Sequence, residues 1–96
     1  MTRRAARVDA NQPEIFALWR SLGVLVTDTS RFGEGFPDCM LAYRGRLLLA
    51  EIKHGANGLT GSQQIFHRQH ETHGIVIPIV RNESDALALI GARRAA

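Results

Sequence analysis

The stretch from Gly35 to Lys53 constrains the fold of this chain more than any other part of its sequence. Two runs rich in apolar residues, at about 38–43 and 46–53, flank the dipeptide Arg44-Gly45. Runs of this length around a glycine-containing dipeptide predict two antiparallel strands joined by a two-residue turn. The sequence therefore predicts a β-hairpin near the middle of the chain.

The register of this hairpin decides which charged side chains meet. If Tyr43 faces Arg46, counting outward places Asp38 directly opposite Glu51, with Cβ atoms about 5 Å apart. Lys53 lies two residues beyond Glu51 and shares its face, because side chains alternate along a strand. A slip of one residue would put the two carboxylates on opposite faces, so the pairing depends on the turn.

Both faces of the predicted hairpin are otherwise apolar. The residues that would share the carboxylate face are Met40, Ala42, Leu47 and Leu49, and those on the other face are Cys39, Leu41, Leu48, Ala50 and Ile52. A sheet that is apolar on both faces is typically covered on both faces. We therefore expect helices on both sides of the sheet.

The flanking segments supply those helices. Asn11 as N-cap and Gly23 as C-cap bound a first helix, with an apolar stripe at Ile15, Leu18, Trp19 and Leu22. Residues 24–29 are rich in β-branched side chains and predict a strand, and residues 30–36 form a loop with two glycines.

The second half of the chain repeats this alternation. Thr60 and Gln63 form a capping-box pattern for a helix that ends near His73. Residues 75–80 predict a strand that contains Pro78 and is therefore an edge strand or bulged. A last helix begins at Asn82 or Ser84. The order αβββαβα predicts an α/β fold with a mixed central sheet flanked by helices.

Composition limits the class of protein. With 96 residues the chain fits a single domain, 1–96, whose first ten residues read as a loose basic tail. The formal charge of +3 and a pI of about 10.0 permit a polyanionic partner. Lys53 is the one lysine among 12 basic residues, and Cys39 is the single cysteine. We expect a cytoplasmic protein without a membrane span.

Asp38, Glu51 and Lys53 together predict a chemistry. Two neighbouring carboxylates repel each other and are costly to bury unless a positive charge lies between them. Mg²⁺ prefers one or two carboxylates together with water and phosphate oxygens, and Mn²⁺ is the expected substitute. Such an ion activates water and polarises a phosphoryl group, and Lys53 would orient the water or neutralise developing charge.

These residues also resemble a known motif. Pro37-Asp38 followed by Glu51-Ile52-Lys53 resembles the PD-(D/E)xK nuclease pattern. From about Asn11 to Ile90 the order of elements is similar to that of the small VRR-NUC and archaeal Holliday-junction-resolvase nucleases. The resemblance implies a restriction-endonuclease-like core and the activity of a Mg²⁺-dependent DNA endonuclease. It also implies a homodimer that acts on branched or junction DNA and uses no small-molecule cofactor.

The resemblance also implies roles for individual residues. Asp38 and Glu51 would be metal ligands together with the backbone carbonyl of Ile52, and Lys53 would be the catalytic lysine. Many members carry a glutamate in the first helix that reaches the metal through water, and here Gln12 occupies that position. Gln63 matches a glutamine in the helix after the motif, and is included among the catalytic residues. Among the residues predicted to contact DNA, Ser30 matches a loop serine of the resolvases.

Three further residues are predicted DNA contacts because of their expected position near the site: Arg31, Arg44 and His54. Zinc binding by His67, His70 and His73 is disfavoured, because residues six apart on a helix point in different directions and the pattern is not HExxH.

A purely structural role also stays open for some of these residues. Glu51 and Lys53 could be an exposed pair on an edge strand, and Gln63 could serve the helix cap alone. Two other functions also stay open: a nucleic-acid-binding module of the same fold with weak or no catalysis, and an accessory subunit of a larger complex. The substitution of Gln12 for a glutamate favours the binding module.

Overall fold

The computed structural model describes residues 9–92, so residues 1–8 of the predicted basic tail and residues 93–96 lie outside the described part. Within that range the chain is a small α/β domain with three helices and a four-stranded mixed sheet. The predicted αβββαβα order is confirmed: α1 (Gln12–Ser21), β1 (Leu25–Asp28), β2 (Cys39–Tyr43), β3 (Arg46–Ile52), α2 (Gly61–Glu71), β4 (Ile79–Val80) and α3 (Glu83–Ile90). None of these helices is long and apolar enough to cross a bilayer.

The central hairpin has the predicted register. Tyr43 pairs with Arg46 and Cys39 pairs with Ala50, so continuation of the ladder brings residue 38 opposite residue 51. Arg44 and Gly45 have φ angles of 48° and 77°. Two consecutive left-handed residues are the signature of a type I′ turn, whose twist matches that of antiparallel strands. The strand order is β1-β2-β3-β4, antiparallel except for the parallel pair β3–β4.

One face of the sheet carries the main hydrophobic core. Helices α1 and α3 pack there, and the indole N–H of Trp19 joins them by donating to the Ala86 carbonyl at 3.0 Å. The fully buried side chains that β2 and β3 contribute to this face are Cys39, Leu41, Ala50 and Ile52, as predicted.

The opposite face is covered less completely than predicted. Leu25 and Leu47, near the hairpin turn, are 66% and 69% exposed. Helix α2 covers the other end of this face, where Glu51 lies, and it contacts the strand through the polar side chains of Gln63 and His67. The expectation of cover on both faces is therefore wrong for the turn end, because α2 docks over the end where Glu51 lies.

The fourth strand is shorter than predicted. Only Ile79–Val80 pairs with β3, whereas Ile75 and Val76 are more than half exposed. Pro78 lacks an N–H, and its carbonyl accepts the hydrogen bond from the Glu51 amide. The prediction of an edge strand is confirmed, since β4 closes one side of the sheet.

Two details of the helix ends also differ. The Asn11 side chain does not cap α1 but donates to the carbonyls of Lys53 and Arg81, which ties the start of α1 to the end of β3. Leu22 is 39% exposed rather than buried. By contrast, the capping box of Thr60 and Gln63 is present, and Asn82 rather than Ser84 caps α3.

Candidate functional site

Asp38 and Glu51 form a buried pair of carboxyl groups. Asp38 is 6% exposed, Glu51 is fully buried, and their side chains are hydrogen-bonded to each other. Asp38 Oδ2 also accepts the amide N–H of Ile52 at 2.7 Å. The hairpin produces this arrangement, because its register places the residue before β2 beside the end of β3.

Burial makes both groups hard to ionise. Loss of solvent raises the pKa of Glu51 to about 9, with the hydrogen bond to Asp38 as the second cause. Loss of solvent likewise raises the pKa of Asp38, although the bond from Glu51, the Ile52 amide and the charge of Lys53 oppose the shift. The pair as a whole therefore favours retaining a proton at neutral pH.

Lys53 and Gln63 complete one side of this pair. Lys53 is 6% exposed, and its Nζ donates to Gln63 Oε1 at 2.8 Å. The Gln63 amide donates in turn to Glu51 Oε2 at 3.2 Å, while its Oε1 also accepts from the Thr60 amide. Gln63 thus serves the helix cap and the charged cluster at once, so the structural and functional interpretations of this residue are compatible.

His67 belongs to this cluster although sequence reasoning did not include it. Its Nε2 lies 3.0 Å from Glu51 Oε1, and the side chain is buried. Burial lowers its pKa, so the neutral imidazole is favoured. The signal was present in the spacing: His67 is four residues after Gln63, so the two side chains share one face of α2.

Asp9 is a second residue that the sequence did not single out. It lies in the segment predicted to be loose, yet Oδ1 accepts from the His54 amide at 3.1 Å and from the Asn57 side chain at 3.0 Å. Its charge contributes to the raised pKa values of Asp38 and Glu51, so it lies close to the pair. No sequence pattern around Asp9 indicated this position.

Gln12 is buried at the start of α1, with 3% exposure. Its Oε1 has no hydrogen-bond partner among the described residues. A buried amide oxygen without a partner costs about 1–3 kcal/mol, so a water or ion beside it would be stabilising. An unpaired oxygen here is compatible with the contact to the metal through water that is predicted for Gln12, and that contact stays a prediction.

The donor set fits a hard divalent cation better than zinc. Within residues 9–92 no three His, Cys, Asp or Glu side chains are grouped as a metal cage. The pair supplies carboxylate oxygens, and the Ile52 carbonyl lies on the same side of β3 as the Ile52 amide that Asp38 accepts. Two carboxylates plus a carbonyl leave positions for water and phosphate, which is the arrangement Mg²⁺ prefers.

The predicted DNA contacts are placed unequally. Arg44 lies at the hairpin turn with its guanidinium over the Tyr43 ring, at the far end of β2 from Asp38 and about 20 Å away by strand rise. The expected position of Arg44 near the site is wrong, because the whole length of β2 separates the turn from Asp38. Ser30 is buried and its hydroxyl donates to Asp28 Oδ1, whereas Arg31 and His54 are exposed in loops that flank the site.

An open apolar cleft of about 730 Å³ lies at the C-terminal end of α2, bounded by Ile65, His70, His73 and Ile75 among others. It includes neither carboxylate nor Lys53, so it is separate from the charged cluster. His67 turns toward Glu51 while His73 lines this cleft, which agrees with the prediction that the three histidines do not share a zinc ion.

Comparison of the chain with family models, with curated proteins and with solved structures gives no match.

Proposed function

We propose that this chain is a Mg²⁺-dependent DNA endonuclease of the PD-(D/E)xK superfamily, related to the VRR-NUC and Holliday-junction-resolvase branches. The proposal includes a restriction-endonuclease-like core, which the αβββαβα order and the three antiparallel strands with a parallel fourth strand support. It also includes Asp38 and Glu51 as metal ligands and Lys53 as a catalytic residue.

The observation that carries the proposal is the buried carboxyl pair with a lysine beside it. A fully buried Glu51 hydrogen-bonded to Asp38 retains a proton at neutral pH, which is a costly arrangement for a purely structural contact. A divalent cation that displaces this proton would offset the repulsion between the two carboxylates that the loss of the proton creates. The two residues thus form a site that favours a cation over an empty state.

A divalent ion bound here would polarise the phosphoryl group and activate a water molecule. Asp38 and Glu51 would hold the ion, together with the carbonyl of Ile52. His67 would orient Glu51 through the hydrogen bond between its Nε2 and Glu51 Oε1, and its lowered pKa favours the neutral imidazole, which donates from Nε2 in one of its two tautomers. Since His67 and Gln63 each engage one oxygen of Glu51, one lone pair on each oxygen remains for the ion.

Lys53 is positioned to act on the phosphate side. Gln63 Oε1 holds its ammonium group, and burial limits the other conformations of this long side chain. An ammonium fixed in a weakly solvated site stabilises negative charge that develops on a phosphate oxygen more strongly than one in water. Lys53 therefore neutralises the transition state or orients the attacking water.

The substrate in this proposal is DNA, with branched or junction DNA as the preferred form, and the assembly is a homodimer. A net charge of +3 supports a polyanionic substrate. The dimer is proposed because two symmetric cuts in a junction require two sites.

A nucleic-acid-binding module without catalysis is the second candidate. Gln12 in place of a helix glutamate favours it, as does the engagement of both Glu51 oxygens by protein donors. The two candidates differ in one readout, because a binding module retains DNA without cutting it in any metal.

The test is incubation of the protein with supercoiled plasmid and with a four-way junction, in Mg²⁺, in Mn²⁺ and in chelator. The endonuclease cleaves in either metal, not in chelator, and loses cleavage in Lys53→Ala and Asp38→Ala. Glu14→Gln is the matched control, because Glu14 is an exposed carboxylate on α1. Binding of DNA without cleavage in both metals would support the second candidate, and absence of binding would contradict both.

A further inference from the structure

A row of aromatic rings runs from α2 to the surface, and at its inner end Phe66 stacks on His70 with ring centroids 4.2 Å apart. Phe66 and Phe36 meet edge to face with centroids 5.3 Å apart, and Phe36 and Phe32 lie 5.0 Å apart. Phe66 directly precedes His67, which contacts Glu51, and Phe36 lies two residues before Asp38. The two segments that carry the row, α2 and the loop that precedes β2, thus also carry or lead into residues of the charged cluster.

The outer ring of this row is left in solvent. Phe32 is 64% exposed, although burial of a phenylalanine side chain is worth about 1.5–3 kcal/mol. Phe36 is half-buried beneath it. A flat apolar ring with much of its area exposed can accept another flat ring against it.

The loop that carries Phe32 is fixed to the domain rather than loose. The Thr29 hydroxyl donates to the Pro37 carbonyl at 2.7 Å, and the Thr29 amide donates to the Asp38 carbonyl at 2.9 Å, which closes the loop at its base. Gly35 has φ of 79° and approaches α2 so closely that a Cβ would lie 2.2 Å from the Ser62 carbonyl oxygen. Only glycine fits this contact, which holds the loop against the helix that carries Gln63.

We propose that Phe32 stacks on an unpaired base of the DNA strand whose phosphate lies at Asp38, Glu51 and Lys53. The inference rests on the proposed function, because the phosphodiester site determines where the strand runs. Nucleic-acid-binding proteins combine a phosphate site with exposed aromatic rings, and each stacked base contributes about 1–3 kcal/mol. A base paired within a duplex does not present its face, so the substrate class is DNA with unpaired nucleotides near the cut.

The position of Phe32 on a preformed loop adds to this argument. The contact with Phe36 and the anchored backbone restrict the ring before a ligand arrives, so stacking costs little additional conformational entropy. Gly33, Glu34 and Gly35 are three consecutive residues with left-handed backbone, and the φ angle of Glu34 is 56°. They turn the chain back after Phe32. This turn leaves Phe32 at the tip and returns Phe36 to the domain.

The experiment measures binding of a fluorescent single-stranded oligonucleotide and of a duplex of the same sequence by anisotropy, in chelator to prevent cleavage. Phe32→Ala is expected to weaken single-strand binding about 10-fold, within the range of one stacked base, and to change duplex binding less than about 2-fold. Leu22→Ala is the matched control, because Leu22 is an exposed apolar residue at the end of α1, behind the opposite face of the sheet.

A second variant reports on the contact itself. Phe32→Trp is expected to retain single-strand binding and to lose fluorescence intensity as a base stacks on the indole, whereas Trp19 is fully buried and gives a constant background. Equal single-strand binding by wild type and Phe32→Ala would overturn the inference, as would an equal loss on single strand and duplex, or unchanged Phe32→Trp fluorescence.

Plasmid cleavage in Mg²⁺ by the same preparations separates this inference from the proposed function. Cleavage by the wild type together with unaltered binding by Phe32→Ala overturns the stacking role alone. A single-strand-specific loss of binding in Phe32→Ala without wild-type cleavage supports stacking and overturns the endonuclease. Absence of any wild-type binding to single-stranded DNA overturns the stacking role.

Discussion

The two faces of the β2–β3 hairpin differ in what they bury. One face presents apolar side chains, such as Leu41 and Ile52, to α1 and α3 and is fully closed. The other holds Asp38, Glu51 and Lys53 under the polar side of α2 and is open toward the turn, where Leu47 is 69% exposed. The same strand pair therefore carries apolar packing on one face and a buried charged cluster on the other.

The largest expected effect is on the closed face. Leu41→Ala removes a fully buried side chain among α1, α3 and the strands, so the free energy of unfolding should fall by about 2–5 kcal/mol. Chemical denaturation monitored by Trp19 fluorescence measures this change. A loss below about 1 kcal/mol would contradict the assignment of this face as the core.

His67→Ala tests the open face next. Without the imidazole that orients Glu51 Oε1, Mn²⁺ affinity should fall about 10- to 100-fold, the usual cost of losing a group that orients a metal ligand. Calorimetric titration with Mn²⁺ measures it. His73→Ala is the control, since His73 lines the separate cleft and should leave affinity unchanged.

The pH dependence of stability should distinguish Glu51 from an ordinary surface carboxylate. Its pKa is about 9 in the folded protein against 4.5 for an ordinary glutamate in water, so the folded state binds more protons between these values. The free energy of unfolding in chelator should therefore fall as pH rises through that window. Glu51→Gln should remove this dependence and be more stable than wild type at pH 9 by at least about 1.4 kcal/mol, the equivalent of one pKa unit.

Urea denaturation at pH 6, 7.5 and 9 in chelator measures this profile, with Glu14→Gln as the exposed control. Equal slopes for wild type and Glu51→Gln would show that Glu51 is ionised without cost in the metal-free protein. In that case the carboxyl pair would hold no proton, and the raised pKa of Glu51 would be refuted.

The smallest expected effect is at the turn end of the open face. Leu47→Ala removes an exposed side chain, so the free energy of unfolding should change by less than about 0.5 kcal/mol. The same denaturation experiment measures it beside Leu41→Ala. A loss comparable with that of Leu41→Ala would mean that the two faces are buried alike in solution.

The hairpin could be predicted from the sequence because a two-residue turn fixes the register, and the register alone brings Asp38 to Glu51. Gln63 was found through the family resemblance. The spacing from Gln63 places His67 on the same face of α2, but only the docking of that helix on β3 brings its ring to Glu51. Asp9 could not be predicted, since its contacts with residues 54–57 join distant segments of the chain.

The strand at 75–80 shows a different limit of the sequence. β-branched residues at Ile75 and Val76 favour a strand, but pairing requires a neighbour with free backbone groups, and β3 is matched there by Ile79–Val80 alone. Likewise, the partial cover of the second face depends on where α2 docks. Local sequence predicts the helix and its cap but not how far it extends across the sheet.

The most direct test of the central claim is a calorimetric titration of Mn²⁺ into the wild type, Asp38→Asn, Glu51→Gln and Glu14→Gln at pH 7.5. We expect one binding event in the wild type and Glu14→Gln, with affinity reduced at least about 10-fold in both Asp38→Asn and Glu51→Gln. Equal affinity in all four proteins, or no binding to the wild type, would contradict a cation site at the buried carboxyl pair.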